Sequence, residues 1–230
     1  MANFNTHITY AAAGAGLLSV LCLQIGLVDQ RNALLLALVG TIGGILPDID
    51  LQRSYPSRIL FSMMGMFLAF MMVFSLETRF SILGLWLVGI GSFLLVRFPV
   101  WYIFHHYTTH RGSTHSVVAA LLCAFTATAI SFHILGKNDL TSWLIGCFLF
   151  MGFILHLILD EFYSVDFSNR RIKRSFGTAL KLVDYSKTFK SALLIGLTFA
   201  VWFITPDEGR FWDILTSPQT YAIISARFFP

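Results

Sequence analysis

Charge is what this sequence has least of. Asp, Glu, Lys and Arg make up 12% of its 230 residues, against about 25% in a usual soluble domain. Hydrophobic residues make up 56%, and mean hydropathy is +0.72. A soluble globular fold is excluded, because a chain this small lacks the polar helices needed to cover so many buried ones. Cysteine is also scarce. Cys22, Cys123 and Cys147 all sit inside apolar runs, where they read as small hydrophobes and not as a disulfide framework or a thiolate site. No basic stretch precedes the first apolar run, so the N-terminus does not read as a cleavable signal. There is no G-x-S-x-G nucleophile elbow, no internal repeat and no long low-complexity linker. The net charge of +4 is too diffuse to argue for nucleic-acid binding, and no nucleic-acid partner is expected.

What the chain has instead is long apolar runs. A helix that crosses a bilayer needs roughly 20 mostly apolar residues. Ile59 to Leu76 carries no charge, and Leu144 to Leu159, LIGCFLFMGFILHLIL, is broken only by His156. Seven apolar segments are expected, at about 8–26, 33–47, 59–76, 81–104, 115–135, 141–160 and 190–205. The fold class is therefore all-α, a polytopic transmembrane helical bundle of about seven membrane segments. The second segment is short and carries Gly40, Gly43 and Gly44, small residues that permit close helix approach.

Basic residues orient the bundle. With the N-terminus in the cytoplasm, the inside segments hold Arg53, Arg58, Arg111, Arg170, Arg171, Lys173, Arg174, Lys181, Lys187 and Lys190, with Arg97 nearer that side. The outside holds Arg31, Arg79, Lys137, Arg210 and Arg227, so the split is eleven to five. Acidic residues divide evenly, six and six, so the bias is one of Lys and Arg. Much of it comes from the loop 161–189, whose SNRRIKRS stretch reads as a positive-inside anchor suited to anionic headgroups. Two regions are expected: residues 1–165 as a transmembrane domain carrying the polar clusters, and 166–230 as a basic cytoplasmic loop, a final membrane segment and a tail.

Against this background the polar residues stand out. His7 opens the first segment. Asp48 and Asp50 follow the second in GGILPDID. HHYTTHRGSTHS, residues 105–116, joins the fourth and fifth, and HLILD, residues 156–160, ends the sixth. All four clusters fall on one side of the membrane. His156 and Asp160 are spaced i,i+4 and share a helix face. His106 and His110 have the same spacing if the loop begins as helix. Asp48 and Asp50 suit a turn after Pro47. Ser113 or Thr114 is expected to cap the next helix.

Ionisable groups at membrane depth are costly and are usually paired or line a cavity. Imidazole and carboxylate together make an ordinary site for zinc, manganese or iron. Two ions would use more of these ligands than one, and the residue types allow either. His110 and His115 are the stronger candidates in the loop, since adjacent His105 and His106 point in different directions. Arg111 suits either a bidentate grip on a phosphate or carboxylate or a salt bridge that neutralises the acidic cluster. Thr114 or Ser116 beside a histidine would be a covalent alternative. The polar chemistry collects at one end of the bundle, unlike a transporter's midplane pathway.

His7, the PDID of 47–50, the HRGSTHS of 110–116 and the HLILD of 156–160 occur in the order seen in the YdjM-like, inner-membrane-associated metal-dependent hydrolases, a family also labelled LexA-regulated. The resemblance covers about residues 1–165. It implies a bacterial inner-membrane protein with a metal-dependent hydrolase site. The residues it carries over are His7, Asp48, Asp50, His110, Arg111, His115, His156 and Asp160. His105, His106 and the C-terminal 65 residues lie outside its pattern. The expectation is a hydrolase at the cytoplasmic membrane face, with one or two divalent ions, zinc or manganese. Water is activated by the metal, Asp48 or Asp160 accepts its proton, and Arg111 stabilises the anion. Membrane lipids surround the chain, and a lipid or other amphiphilic phosphoester is the expected substrate. The competing expectation is a non-enzymatic metal-binding, transport or assembly protein.

Overall fold

The structure is a computed structural model and describes residues 3–50, 54–107, 112–166, 171–172 and 180–228. Each of the seven apolar segments is a helix. These are α1 (Phe4–Gln24), α2 (Gln30–Gly43), α3 (Tyr55–Ser75), α4 (Ile82–Leu95), α6 (Val117–His133), α7 (Asp139–Phe162) and α8 (Thr188–Trp202). Helix α4 runs through a π-type stretch, Val96–Val100, into α5 (Trp101–Tyr107). The π geometry falls at Pro99, whose missing N–H and ring cannot fit a regular α turn. A 3-10 turn, Leu46–Asp50, follows α2. A small antiparallel pair, β1 (Val165–Asp166) and β2 (Arg171–Ile172), follows α7. Helices α9 (Gly209–Thr216) and α10 (Pro218–Phe228) complete the order.

In hydrocarbon every backbone polar group must be satisfied within the protein, and the sequence supplies caps for the orphaned first-turn amides. Asn3, Asp29, Ser54, Ser81, Ser116 and Asn138 each accept a backbone N–H three residues on. The cap of α6 is thus Ser116, and neither Ser113 nor Thr114. Gly112 to His115 form a bend and turn, and the chain becomes extended only at Ser116, at φ −150° and ψ 161°. Four helical stretches, Phe4–Gln24, Tyr55–Ser75, Ile82–His106 and Asp139–Phe162, are long and apolar enough to cross a bilayer. Val117–His133 and Thr188–Trp202 are shorter apolar helices.

The described chain divides into two compact units, Met1–Pro47 with His115–Pro230, and Asp48–Thr114. In the first, α7 is the central helix. It packs on α1, α2 and α6 and is the most deeply buried of the long helices. Apolar burial gives no preference for protein over lipid, so the helices of this unit are held by close packing of small residues. A Cβ added at Gly152 would fall on the Gly40 carbonyl oxygen, and one at Gly43 on that of Leu149. Ala11 and Ala15 of α1 close the same seam, facing Gly44 and Gly40. Toward the other end of α7, Ala15, Cys22, Leu36, Trp143, Leu144 and Phe148 form the apolar core.

The second unit is the α3–α4 hairpin with the 3-10 turn and α5. Its apolar side chains are mostly exposed, as lipid-facing surface would be. One buried polar knot organises it. His105 Nδ1 faces the Trp101 carbonyl at 2.8 Å, and its Nε2 lies 3.1 Å from both Ser57 Oγ and the Ile49 carbonyl. Trp101 Nε1–H donates to Ser57 Oγ at 3.0 Å. These contacts tie α5 to the first turn of α3 and to the turn that carries Asp48.

Candidate metal centre

Helix geometry sets the site in the first unit. The i,i+4 spacing places His156 and Asp160 on one face of α7, with Nε2 and Oδ2 4.0 Å apart. His7, in the first turn of α1, stacks flat on His156, with ring centroids 3.6 Å apart and planes at 13°. Its Nε2 lies 3.3 Å from Asp160 Oδ1. His115, just before α6, brings Nε2 to 3.5 Å from Asp160 Oδ2 and meets the His156 ring edge-on at 5.5 Å. All four side chains are at most 1% exposed. Clusters from three separated stretches of sequence thus converge on one carboxylate.

The arrangement fits a metal ion. Two donors on one ion, each about 2.1 Å from it, stand about 3–3.5 Å apart, close to the His7–Asp160 distance. His7, His156 and Asp160 each offer a ligand atom, and these atoms all lie within 4.8 Å of one another. His156 Nδ1 lies 2.8 Å from the Gly44 carbonyl. A carbonyl only accepts, so Nδ1 carries the proton and Nε2 keeps its lone pair directed toward Asp160. Fixing the tautomer and the ring through the second nitrogen is the usual support for a metal-ligating histidine. His7 Nδ1 is buried and meets no hydrogen-bond partner among the described residues. Neutral imidazoles with a carboxylate are a donor set that a divalent metal ion accepts.

The Gly44 carbonyl is the part of the site that sequence reasoning missed. Its signal was present in the glycine run of α2. Only because Gly43 and Gly152 lack side chains can the end of α2 press against α7 and reach His156.

The other expected site residues divide as follows. Asp48 belongs to the second unit. Its side chain is buried, and its backbone carbonyl accepts the Ser54 hydroxyl at 2.8 Å. Asp50 ends the same 3-10 turn, but its side chain, and all of His110 and Arg111, lie outside the described residues. Of the loop histidines set aside on sequence grounds, His105 is the buried knot of the second unit and His106 is exposed. Ser116 Oγ accepts the Ala119 N–H at 3.3 Å, a capping role.

The segment after the basic loop also touches this region. The amides of Val117 and Val118, which open α6, donate to the carbonyls of Lys181 and Leu182 at 2.9 and 3.2 Å. That strap is closed by Asp184, which accepts the Ser186 hydroxyl at 2.7 Å and lies 3.7 Å from Lys181 Nζ. The Ser186 hydroxyl, helped by the Lys181 ammonium, holds the Asp184 carboxyl below its ordinary range. Most of the basic SNRRIKRS stretch lies outside the described residues.

Apolar helices long enough to cross a bilayer several times, with a buried His–His–Asp ligand cluster, define a membrane-embedded protein built to hold a metal ion. The chain belongs to the YdjM inner membrane protein family, which it matches over residues 1–204. It is accordingly a multi-pass protein of the inner membrane, in contact with lipid. No curated protein and no solved structure matches it.

Proposed function

We propose that this protein is a metal-dependent hydrolase acting at the cytoplasmic face of the inner membrane on an amphiphilic phosphoester. The observation that carries the reading is the convergence of His7, His156 and Asp160, buried and at ligand spacing. In this reading all seven apolar helices cross the membrane with the N-terminus in the cytoplasm, as the excess of Lys and Arg on that side requires.

His7, His156 and Asp160 would hold one zinc or manganese ion. When bound, it would supply Lewis acidity, lowering the pKa of a water and polarising a phosphoryl oxygen. Three protein donors leave a position open, as catalytic sites do and closed structural sites do not. Gly44 keeps His156 in the ligating tautomer. His115, on the second carboxylate oxygen, orients Asp160. Asp48, Asp50, His110 and Arg111 enter on sequence alone: Asp48 as an alternative to Asp160 in accepting the proton from water, Asp50 and His110 as donors to a second ion where two are held, and Arg111 as the group that grips the anion.

The second reading is a non-enzymatic metal-binding protein. It is favoured by the complete burial of the four donors, since His115 as a fourth ligand would close the site.

The test is metal content by plasma mass spectrometry on protein purified in mild detergent without chelators. The expected result is near-stoichiometric metal that His156→Ala loses while remaining folded. Asp48→Ala tests the role assigned from sequence. Wild type that is metal-free and takes up neither zinc nor manganese would sink both readings. Bound metal with no turnover of alkyl 4-nitrophenyl phosphates would leave only the second.

A further inference from the structure

The first unit has a groove that the metal centre does not use. It lies between α1 and α7 and encloses about 280 Å³. Ala11, Gly14, Leu18, Gly152, Leu155 and Ile158 line it, and no charged residue does. It exists because α1 presents Ala11, Gly14 and Ala15 where larger residues would meet α7. A Cβ at Gly14 would meet Leu155 Cδ2 at 3.7 Å, an ordinary van der Waals contact, so a methyl group fits there and a larger side chain enters the slot.

Two features give the groove a direction. The two helices that form it are the ones that carry the ligand cluster. Ala11 stands one turn beyond His7, and Gly152 one turn before His156, at the i,i+4 spacing of helix neighbours. The lining of α7 runs from Phe148 to Ile158, about 15 Å of helix rise and close to the ~15 Å hydrocarbon depth of one leaflet. A slot of one leaflet's depth, whose α1 wall ends one turn from His7 and whose α7 wall runs past the level of His156 to Ile158, matches one hydrocarbon chain with its polar head at that centre. A second apolar groove, between α6 and α8, is lined by Val118, Leu121, Phe125 and Trp202 among others, but α8 supplies none of the described ligand donors.

We propose that the α1–α7 groove is an acyl-chain site, which seats a single alkyl or acyl chain of a membrane amphiphile so that its phosphate-bearing head lies at the His7–His156–Asp160 centre. The proposal rests on the hydrolase reading for what happens to the head, but not for the seating of the chain. Gly14 is its specificity-determining position: alanine fits there, and an aromatic side chain fills the slot.

The full chain is reconstituted in phosphatidylethanolamine and phosphatidylglycerol vesicles containing a phosphatidylglycerol with a diazirine in its acyl chain. After photolysis, adducts are mapped by mass spectrometry, and metal is counted in the same preparations. Adducts are expected to gather on residues 11–18 and 148–158. Gly14→Phe should lower them about tenfold, the worth of displacing two buried methylenes, with metal content unchanged, while Gly14→Ala leaves them in place. Leu155→Trp, which blocks from the opposite wall, serves if Gly14→Phe fails to fold. Adducts spread over α3 and α4 in proportion to exposed apolar surface, adducts gathered on the α6–α8 groove, or adducts indifferent to both blocking variants would overturn the site. Metal-free wild type with the expected adduct pattern would instead sink the hydrolase reading and leave the chain site standing.

Discussion

Replacing Gly152 by alanine adds one methyl group to a helix that never touches the metal ligands through that residue, and it should nonetheless weaken metal binding. The new Cβ would fall on the Gly40 carbonyl oxygen and within 2.9 Å of the Gly44 amide nitrogen. Both are backbone atoms with no rotamer to change. An ordinary contact of about 3.5 Å is restored only if α2 and α7 separate by on the order of an ångström. The same movement stretches the 2.8 Å bond between His156 Nδ1 and the Gly44 carbonyl to about 3.8 Å, beyond hydrogen-bonding range. His156 then loses both its fixed tautomer and its fixed ring. Overpacking of this kind costs about 1–3 kcal/mol of stability. Loss of the hydrogen bond behind a metal-ligating histidine costs about 10–100-fold in metal affinity. The assay is zinc competition against a calibrated chelator in detergent, with thermal unfolding of the same samples. Gly14→Ala is the control, since its Cβ meets only Leu155 Cδ2 at 3.7 Å and should leave affinity unchanged. A Gly152→Ala protein that is folded and binds zinc as tightly as wild type would refute the argument that the glycine seam holds the ligand in place.

Asp160→Asn should abolish stoichiometric metal, because one substitution removes the charge on which three buried imidazoles converge; retention of metal would move the centre elsewhere. Metal should also leave progressively as pH falls, since histidine ligands must be deprotonated to bind, and dialysis at stepped pH followed by metal analysis would check this. Ser116→Ala removes the cap of α6, which should cost about 1 kcal/mol and leave any hydrolytic turnover intact; loss of turnover with the fold preserved would point to a covalent nucleophile. Asp184 has its folded pKa lowered by the Ser186 hydroxyl, so its contribution to the strap is full above the ordinary carboxylate pKa of about 4 and is lost as pH falls through the lowered value. Asp184→Asn should mimic that loss at neutral pH, read as faster hydrogen exchange at the Val117 and Val118 amides, with unchanged exchange counting against the strap.

Sequence alone determined the all-α membrane class, because runs such as Ile59 to Leu76 have no other solvent than lipid. It also determined that His156 and Asp160 share a face, because i,i+4 spacing is a property of any α-helix. The N-cap of α6 was misplaced by two to three residues, because Ser113, Thr114 and Ser116 are all good caps and only the path of the chain selects among them.

Tertiary structure alone decided that His7 stacks on His156, that His115 reaches the far oxygen of Asp160, and that the backbone carbonyl of Gly44, just past the end of α2, orients the His156 ring. Spacing along a helix fixes which residues share a face. It does not fix which faces meet, or how closely, and here that was settled by the missing side chains of Gly43 and Gly152, which let two backbones approach within reach of a hydrogen bond.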